Sequence, residues 1–175
     1  MSQAPRFVSV QHTPPETLEA MGAGGKAVGL ARLCEWGLTV PEAYVLVDAQ
    51  SGAIPTLAEL DATFLQGPLA VRSSSVAEDG VLQSFAGQYD SFLNVSGSKA
   101  VAEAIDRCLL SAQNSRSAAY RGSEGLDSTT DRMAVVVQQM VDAKAAGVVF
   151  TADPTTGRRD RVVVDAVEGY GEALV

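Results

Sequence analysis

The strongest constraint on this 175-residue chain is the order in which its hydrophobic periodicities change. Val101, Ile105 and Leu109 recur at the spacing of one helical face, which predicts a long helix over residues 99–120. Three β-rich runs follow with no helical pattern between them, at 133–140, 147–151 and 161–167. Asp153-Pro154-Thr155-Thr156-Gly157 has the composition of a turn joining the last two. Earlier, helical and extended patterns alternate. Ala27, Leu30, Ala31 and Cys34 define a helix over 25–36 that stops at Gly37. Residues 44–47, 69–72 and 91–95 read as strands, and 57–64 as one short helix. Residues 1–23, with Pro5, Pro14 and Pro15, read as an extended or irregular lead-in. Helices alternating with strands early and consecutive strands late fit an α+β domain rather than a doubly wound sheet.

Composition narrows the function classes. A net charge of −8 argues against a nucleic-acid or anionic-membrane surface, which needs clustered Lys and Arg. It does not exclude a nucleotide, which a few local cations can hold. There is no signal segment and no apolar run long enough for a membrane-spanning helix. Cys34 and Cys108 both fall in helical patterns and read as buried thiols rather than a disulfide or zinc site. A cytoplasmic location is the expectation.

The chemistry-bearing residues gather in a few short segments. Arg72, at the end of an apolar run, offers a permanently charged fork suited to phosphate oxygens. A salt bridge to Glu78 or Asp79 accounts for the same arginine. Ser73, Ser74 and Glu78 read as loop-shaping residues. Ser84 to Gly87 supply small residues whose N–H groups can approach an anion. Gly24-Gly25-Lys26 precedes a helix, where N–H groups and partial positive charge favour phosphate, although its spacing is not that of a Walker A loop. Taken in isolation, those residues are better accounted for by a solvated lysine beside a glycine turn. Gln138-Gln139-Met140-Val141 closes an apolar strand whose backbone groups can meet a purine edge, or simply ends a buried strand. His12, the sole histidine, has no catalytic surroundings and reads as solvated or capping.

Several segments, taken in order, resemble one family. They are GGKAVGLARLCEWGLTVPEAYVL (24–46), VRSSSVAED (71–79) with SFAGQYDSFLNV (84–95), and VVVQQMVDAKAAGVVFTADPTTGRRD (135–160). The closing EGYGEALV (168–175) agrees with the family's Gly-x-Gly-Glu segment. The chain resembles the N-terminal nucleotide-binding domain of phosphoenolpyruvate synthase (pyruvate, water dikinase), a domain shared with pyruvate, phosphate dikinase and rifampicin phosphotransferase. The resemblance implies the N-terminal portion of an ATP-grasp domain. Within residues 1–175, 24–131 would form a phosphate-binding subdomain and 132–175 the start of an adenine-binding β subdomain. It implies ATP as ligand and Arg72 as the catalytic cation on the transferring phosphates. Lys26, Ser84 and Gly87 would bind phosphate, and Gln139, Met140 and Val141 would form the purine hinge.

The same resemblance implies Mg2+, whose family ligands, with a Gln-x-Arg-Pro segment, are not found in this chain. It also implies a phosphohistidine carrier domain and a pyruvate-type acceptor domain as partners, supplied in trans or by further sequence. On that reading the chain is a fragment of a phosphotransferase that passes phosphate from ATP to a carrier histidine. A rifampicin phosphotransferase-type enzyme and a short non-catalytic nucleotide-binding or regulatory module are the alternatives.

Overall fold

The computed structural model describes residues 5–49, 57–75, 91–120 and 133–171, with the helical backbone alone over 112–120. The chain divides into two units, Met1–Met140 and Val141–Val175.

The first unit is built on a five-stranded sheet. Its strands are β1 (Arg6–Ser9), β2 (Ala43–Val47), β3 (Leu69–Ser75), β4 (Ser91–Val95) and β5 (Met133–Gln139). Their spatial order is β1-β2-β5-β3-β4, with every neighbouring pair antiparallel. Helices α1 (Pro15–Ala20) and α2 (Gly24–Glu35) cover one face, while α3 (Ala62–Gln66) and α4 (Ser98–Tyr120) cover the other.

Strand alternation divides the core between these faces. Met133, Val135 and Val137 of β5 pack with Phe64, Val101, Ile105 and Leu109, whereas Ala134 and Val136 pack with Leu18, Ala27 and Ala31. A central strand covered on both sides must be apolar at successive positions, which explains the unbroken run in β5. Helices packed on an antiparallel sheet are the α+β mixture expected from the sequence.

Several sequence expectations need correction. Residues 1–23 are not an irregular lead-in, because they contain β1 and α1. Pro14 is the N-cap of α1 and Pro15 opens it, where a missing N–H breaks no helical bond. Val10 and Leu18 of this segment are fully buried. The strand expected to open a second subdomain at 132 is instead the middle strand of the first unit's sheet. Finally, β3 does not stop at Arg72. Ser73, Ser74 and Ser75 continue it in register with Val135, Ala134 and Met133, and all three serines are buried.

The helix expected over 57–64 is a 3-10 turn, Leu57–Glu59, followed by α3. Asp61 separates them, its carboxylate accepting the N–H groups of Thr63 at 2.6 Å and Phe64 at 3.3 Å. The Thr63 N–H, then that of Phe64, holds the Asp61 carboxyl below the usual carboxylate range. A depressed folded-state pKa stabilises above the unfolded value and is lost as pH falls through the folded one. Asp61→Ala is therefore expected to lower the melting temperature at pH 7. The gap from the parent chain should start to narrow below about pH 4 and close only beneath the depressed folded-state value. Thermal melts at the two pH values check this, and an equal gap at both would contradict the cap.

The second unit contains the ribbon β6 (Ala145–Phe150) and β7 (Val163–Glu168), paired antiparallel from Ala145↔Glu168 to Phe150↔Val163. Its connection uses the expected Asp153 turn. The Asp153 carboxylate accepts the N–H groups of Thr155 at 2.9 Å and Thr156 at 3.1 Å, and Gly157 takes φ +70°. Among the described residues, no helix is long and apolar enough to cross a membrane.

Candidate functional site

The side-chain alternation of β3 decides what its segment can do. Leu69 and Val71 enter the α4 layer, so Arg72 and Ser74 face the α2 layer. Gly24, at the start of α2, has φ +78° and lies against Ser74 so closely that an added Cβ would stand 2.4 Å from the Ser74 carbonyl carbon and oxygen. Only glycine fits this approach. Two residues into the helix from Gly25, the Ala27 N–H donates to Ser74 Oγ at 3.3 Å. The helix has Ala23 at its N-cap and no side-chain cap hydrogen bond, so the strand serine, rather than a capping residue, ties the first turn to β3. The first turn of the helix consists of Gly24, Gly25 and Lys26. Half-buried Lys26 adds a cation in the same turn. Two segments separated by more than forty residues of sequence thus meet at one place.

Half-buried Arg72 is held within the same face. Its Nη2 donates to Gln138 Oε1 at 3.0 Å. In the β3–β5 register Arg72 stands opposite Val136, which leaves Gln138 two positions along on the same face. Gln138 is only 8% exposed. Its Nε2 donates to the Pro41 carbonyl at 3.4 Å, and that oxygen also accepts from Gln11 Nε2 at 2.9 Å. Gln11 Oε1 in turn accepts the Ala43 N–H at 3.2 Å. Glu78 and Asp79, the alternative partners considered for Arg72, lie outside the described residues.

The remaining candidate residues are distributed unevenly. The Gln139 N–H donates to Glu42 O at 2.8 Å and the Met140 N–H to Pro68 O at 2.9 Å. Met140 Sδ accepts the Asn94 N–H at 3.0 Å, so this methionine is anchored on β4. Val141 is exposed and is the first residue of the second unit. Ser84 and Gly87 lie outside the described residues. His12 Nδ1 lies 3.0 Å from Ser9 Oγ at the surface. Cys108 is buried, its Sγ 3.9 Å from the Val71 carbonyl oxygen, and Cys34 is half-buried; the two are not joined in a disulfide. Among the described residues, no three His, Cys, Asp or Glu side chains come together as a metal site would require.

Sequence reasoning missed the roles of Ser74 and Gln138. For Gln138 a signal existed: a polar residue placed in alternation with Ala134 and Val136, on the buried side of a core strand.

Comparison with known proteins supplies the family. Residues 51–175, more than half of the chain, match the family described as pyruvate phosphate dikinase, AMP/ATP-binding domain. The chain belongs to this family. A rifampicin phosphotransferase from Streptomyces sviceus is 54% identical over 106 residues, covering 61% of this chain and 12% of the relative. The prodigiosin synthesizing transferase PigC of Serratia marcescens is 37% identical and covers 95% of this chain and 22% of the relative. A phosphoenolpyruvate synthase from Aeropyrum pernix is 43% identical, covering 61% and 13%. This dikinase-type domain therefore spans a minor fraction of the curated relatives it matches. Gly24-Gly25-Lys26 precedes the family match, while the alignment with the Serratia relative is too extensive to omit it.

Proposed function

We propose that the α2 face of the first unit binds the phosphates of ATP. In this reading the chain is the ATP-binding part of a phosphotransferase of the phosphoenolpyruvate synthase type. It passes phosphate from ATP to a histidine on a separate carrier domain. The observation that carries the proposal is the contact of Gly24 and Ala27 with Ser74. That contact sets a glycine-lined helix N-terminus and Lys26 beside the strand bearing Arg72, and family membership supports ATP as the nucleotide.

Each residue then has a physical role. Helix N–H groups and Lys26 attract phosphate oxygens, and Arg72 offers a fork that offsets charge building up on the transferring group. Ser84 and Gly87 belong to a loop that covers the phosphates in an ATP-grasp arrangement. The Gln139 to Val141 segment meets the purine. With the N–H groups of Gln139 and Met140 engaged elsewhere, the backbone contribution of those two residues comes from their carbonyl oxygens. Magnesium, where bound, would offset phosphate charge, but the described residues offer no carboxylate cluster that fits it.

A rifampicin phosphotransferase-type enzyme is the second reading, favoured by 54% identity against 43% for the phosphoenolpyruvate synthase over a similar length. Both readings place ATP at the same site and differ in the acceptor. The common part is tested by titrating the 175-residue chain with ATP and with inorganic triphosphate in a calorimeter. Triphosphate is expected to displace ATP, and both affinities should fall as salt rises. Heat that is unchanged by triphosphate, or no binding of either, would remove the phosphate site.

A further inference from the structure

The chain of contacts behind Arg72 has a chemical logic of its own. A guanidinium can only donate hydrogen bonds, and a proline carbonyl can only accept them. Gln138 lies between the two, with Arg72 on its oxygen and Pro41 on its nitrogen. An amide is the side-chain group that presents an acceptor and a donor side by side at this length. The two neighbours also settle which end of the amide is which, since the reversed orientation would face donor with donor and acceptor with acceptor. Gln11 repeats the device between the Ala43 N–H and the Pro41 carbonyl. The two glutamines thus use the two lone-pair sites of one partly buried carbonyl. The backbone around Pro41 is fixed as well, because the Glu42 carbonyl accepts from Gln139 and Ala43 pairs with Gln138 in the sheet.

We propose that Gln138 is a positioning residue that aims the Arg72 guanidinium, with its own amide locked by the carbonyl it shares with Gln11. The inference rests on the phosphate-binding reading given above. Gln138 does not touch the ligand in this scheme. It restricts Arg72 to one orientation before phosphate arrives, so that less rotamer freedom is lost on binding.

A double-mutant cycle tests the scheme on the full chain, with inorganic triphosphate as the probe. Gln138→Met keeps the volume and removes both hydrogen bonds. It is expected to weaken triphosphate binding about tenfold, equivalent to about 1.4 kcal/mol. In an Arg72→Ala background the same substitution should change affinity by less than about twofold, because its effect passes through the arginine. Additive losses would overturn the proposal, since they would mean that Gln138 acts on the ligand or the fold directly. Gln138→Asn retains an amide but is one methylene too short to reach both neighbours. It should lose affinity as Met does, whereas rescue by Asn would show that polarity rather than reach matters.

A second readout is independent of any ligand. The Arg72 Nη nitrogens, observed by NMR in 15N-arginine-labelled protein, should give resolved signals in the parent chain and merge in Gln138→Met. Unchanged signals would overturn the positioning role even if triphosphate binds. Failure of the parent chain to bind triphosphate would count against the phosphate reading alone, leaving the NMR result to decide the role of Gln138.

Discussion

Arg72→Ala is expected to weaken ATP binding by about 100-fold while the chain remains folded. Two effects add in this substitution. The first is loss of the charged fork proposed to pair with phosphate, since paired charge-assisted hydrogen bonds are the strongest class available to a side chain. The second concerns stability. Arg72 donates to Gln138 Oε1, and Gln138 is 8% exposed, so the amide oxygen is left poorly solvated. An unsatisfied buried acceptor costs about 1–3 kcal/mol. Arg72→Lys should be intermediate, since an ammonium keeps the charge but not the fork. In a longer protein that carries out phosphoryl transfer, the alanine variant is expected to lose about 10²–10³-fold in turnover, the usual scale for one electrostatic contact in the transition state. Calorimetry and a thermal melt on the same samples separate binding from stability. Unchanged ATP affinity in a folded Arg72→Ala protein would withdraw the arginine from the site.

What could be read from the sequence divides along a physical line. The α4 stripe of Val101, Ile105 and Leu109 and the apolar run of β5 were legible because their signal is local and repeats. The Asp153 turn was legible for the same reason, since Thr155 and Thr156 lie within three residues of the carboxylate that holds them. The lead-in failed because prolines were read as breakers, when Pro14 and Pro15 occupy the positions where a helix accepts them. Ser73 to Ser75 failed because three serines look like a loop, whereas in β3 their backbones pair with β5. The proposed site depends on contacts that no local pattern encodes. Ala27 and Ser74 are 47 residues apart, and Arg72 and Gln138 are 66 apart. The second meeting follows from sheet order, in which β5 enters between β2 and β3. Arg72 and Lys26 could be proposed one at a time, but the serine and glutamine that fix their surroundings became visible only with the strands in place.

Two alanine substitutions in one helix should have opposite signs. At Gly24 a methyl group would stand 2.4 Å from the Ser74 carbonyl carbon and oxygen and 2.5 Å from Ser74 Oγ. Backbone atoms of a paired strand cannot move aside as a flexible side-chain end can. The φ of +78° adds the left-handed penalty of about 1–2 kcal/mol that non-glycine residues incur. Overpacking contributes about 1–3 kcal/mol more. Gly24→Ala is therefore expected to destabilise the chain by about 2–5 kcal/mol, and to weaken triphosphate binding because the helix N-terminus must lift from β3. Gly29 lies inside α2 with nothing within 4 Å of an added Cβ. There alanine should stabilise by about 0.5–1 kcal/mol, through helix propensity, and leave binding unchanged. Denaturant melts of both variants, followed by titration with triphosphate, make the comparison. Were Gly24→Ala to melt and bind like Gly29→Ala, the close contact between helix and strand would be disproved. The argument for a phosphate site beside Arg72 would then lose its main support.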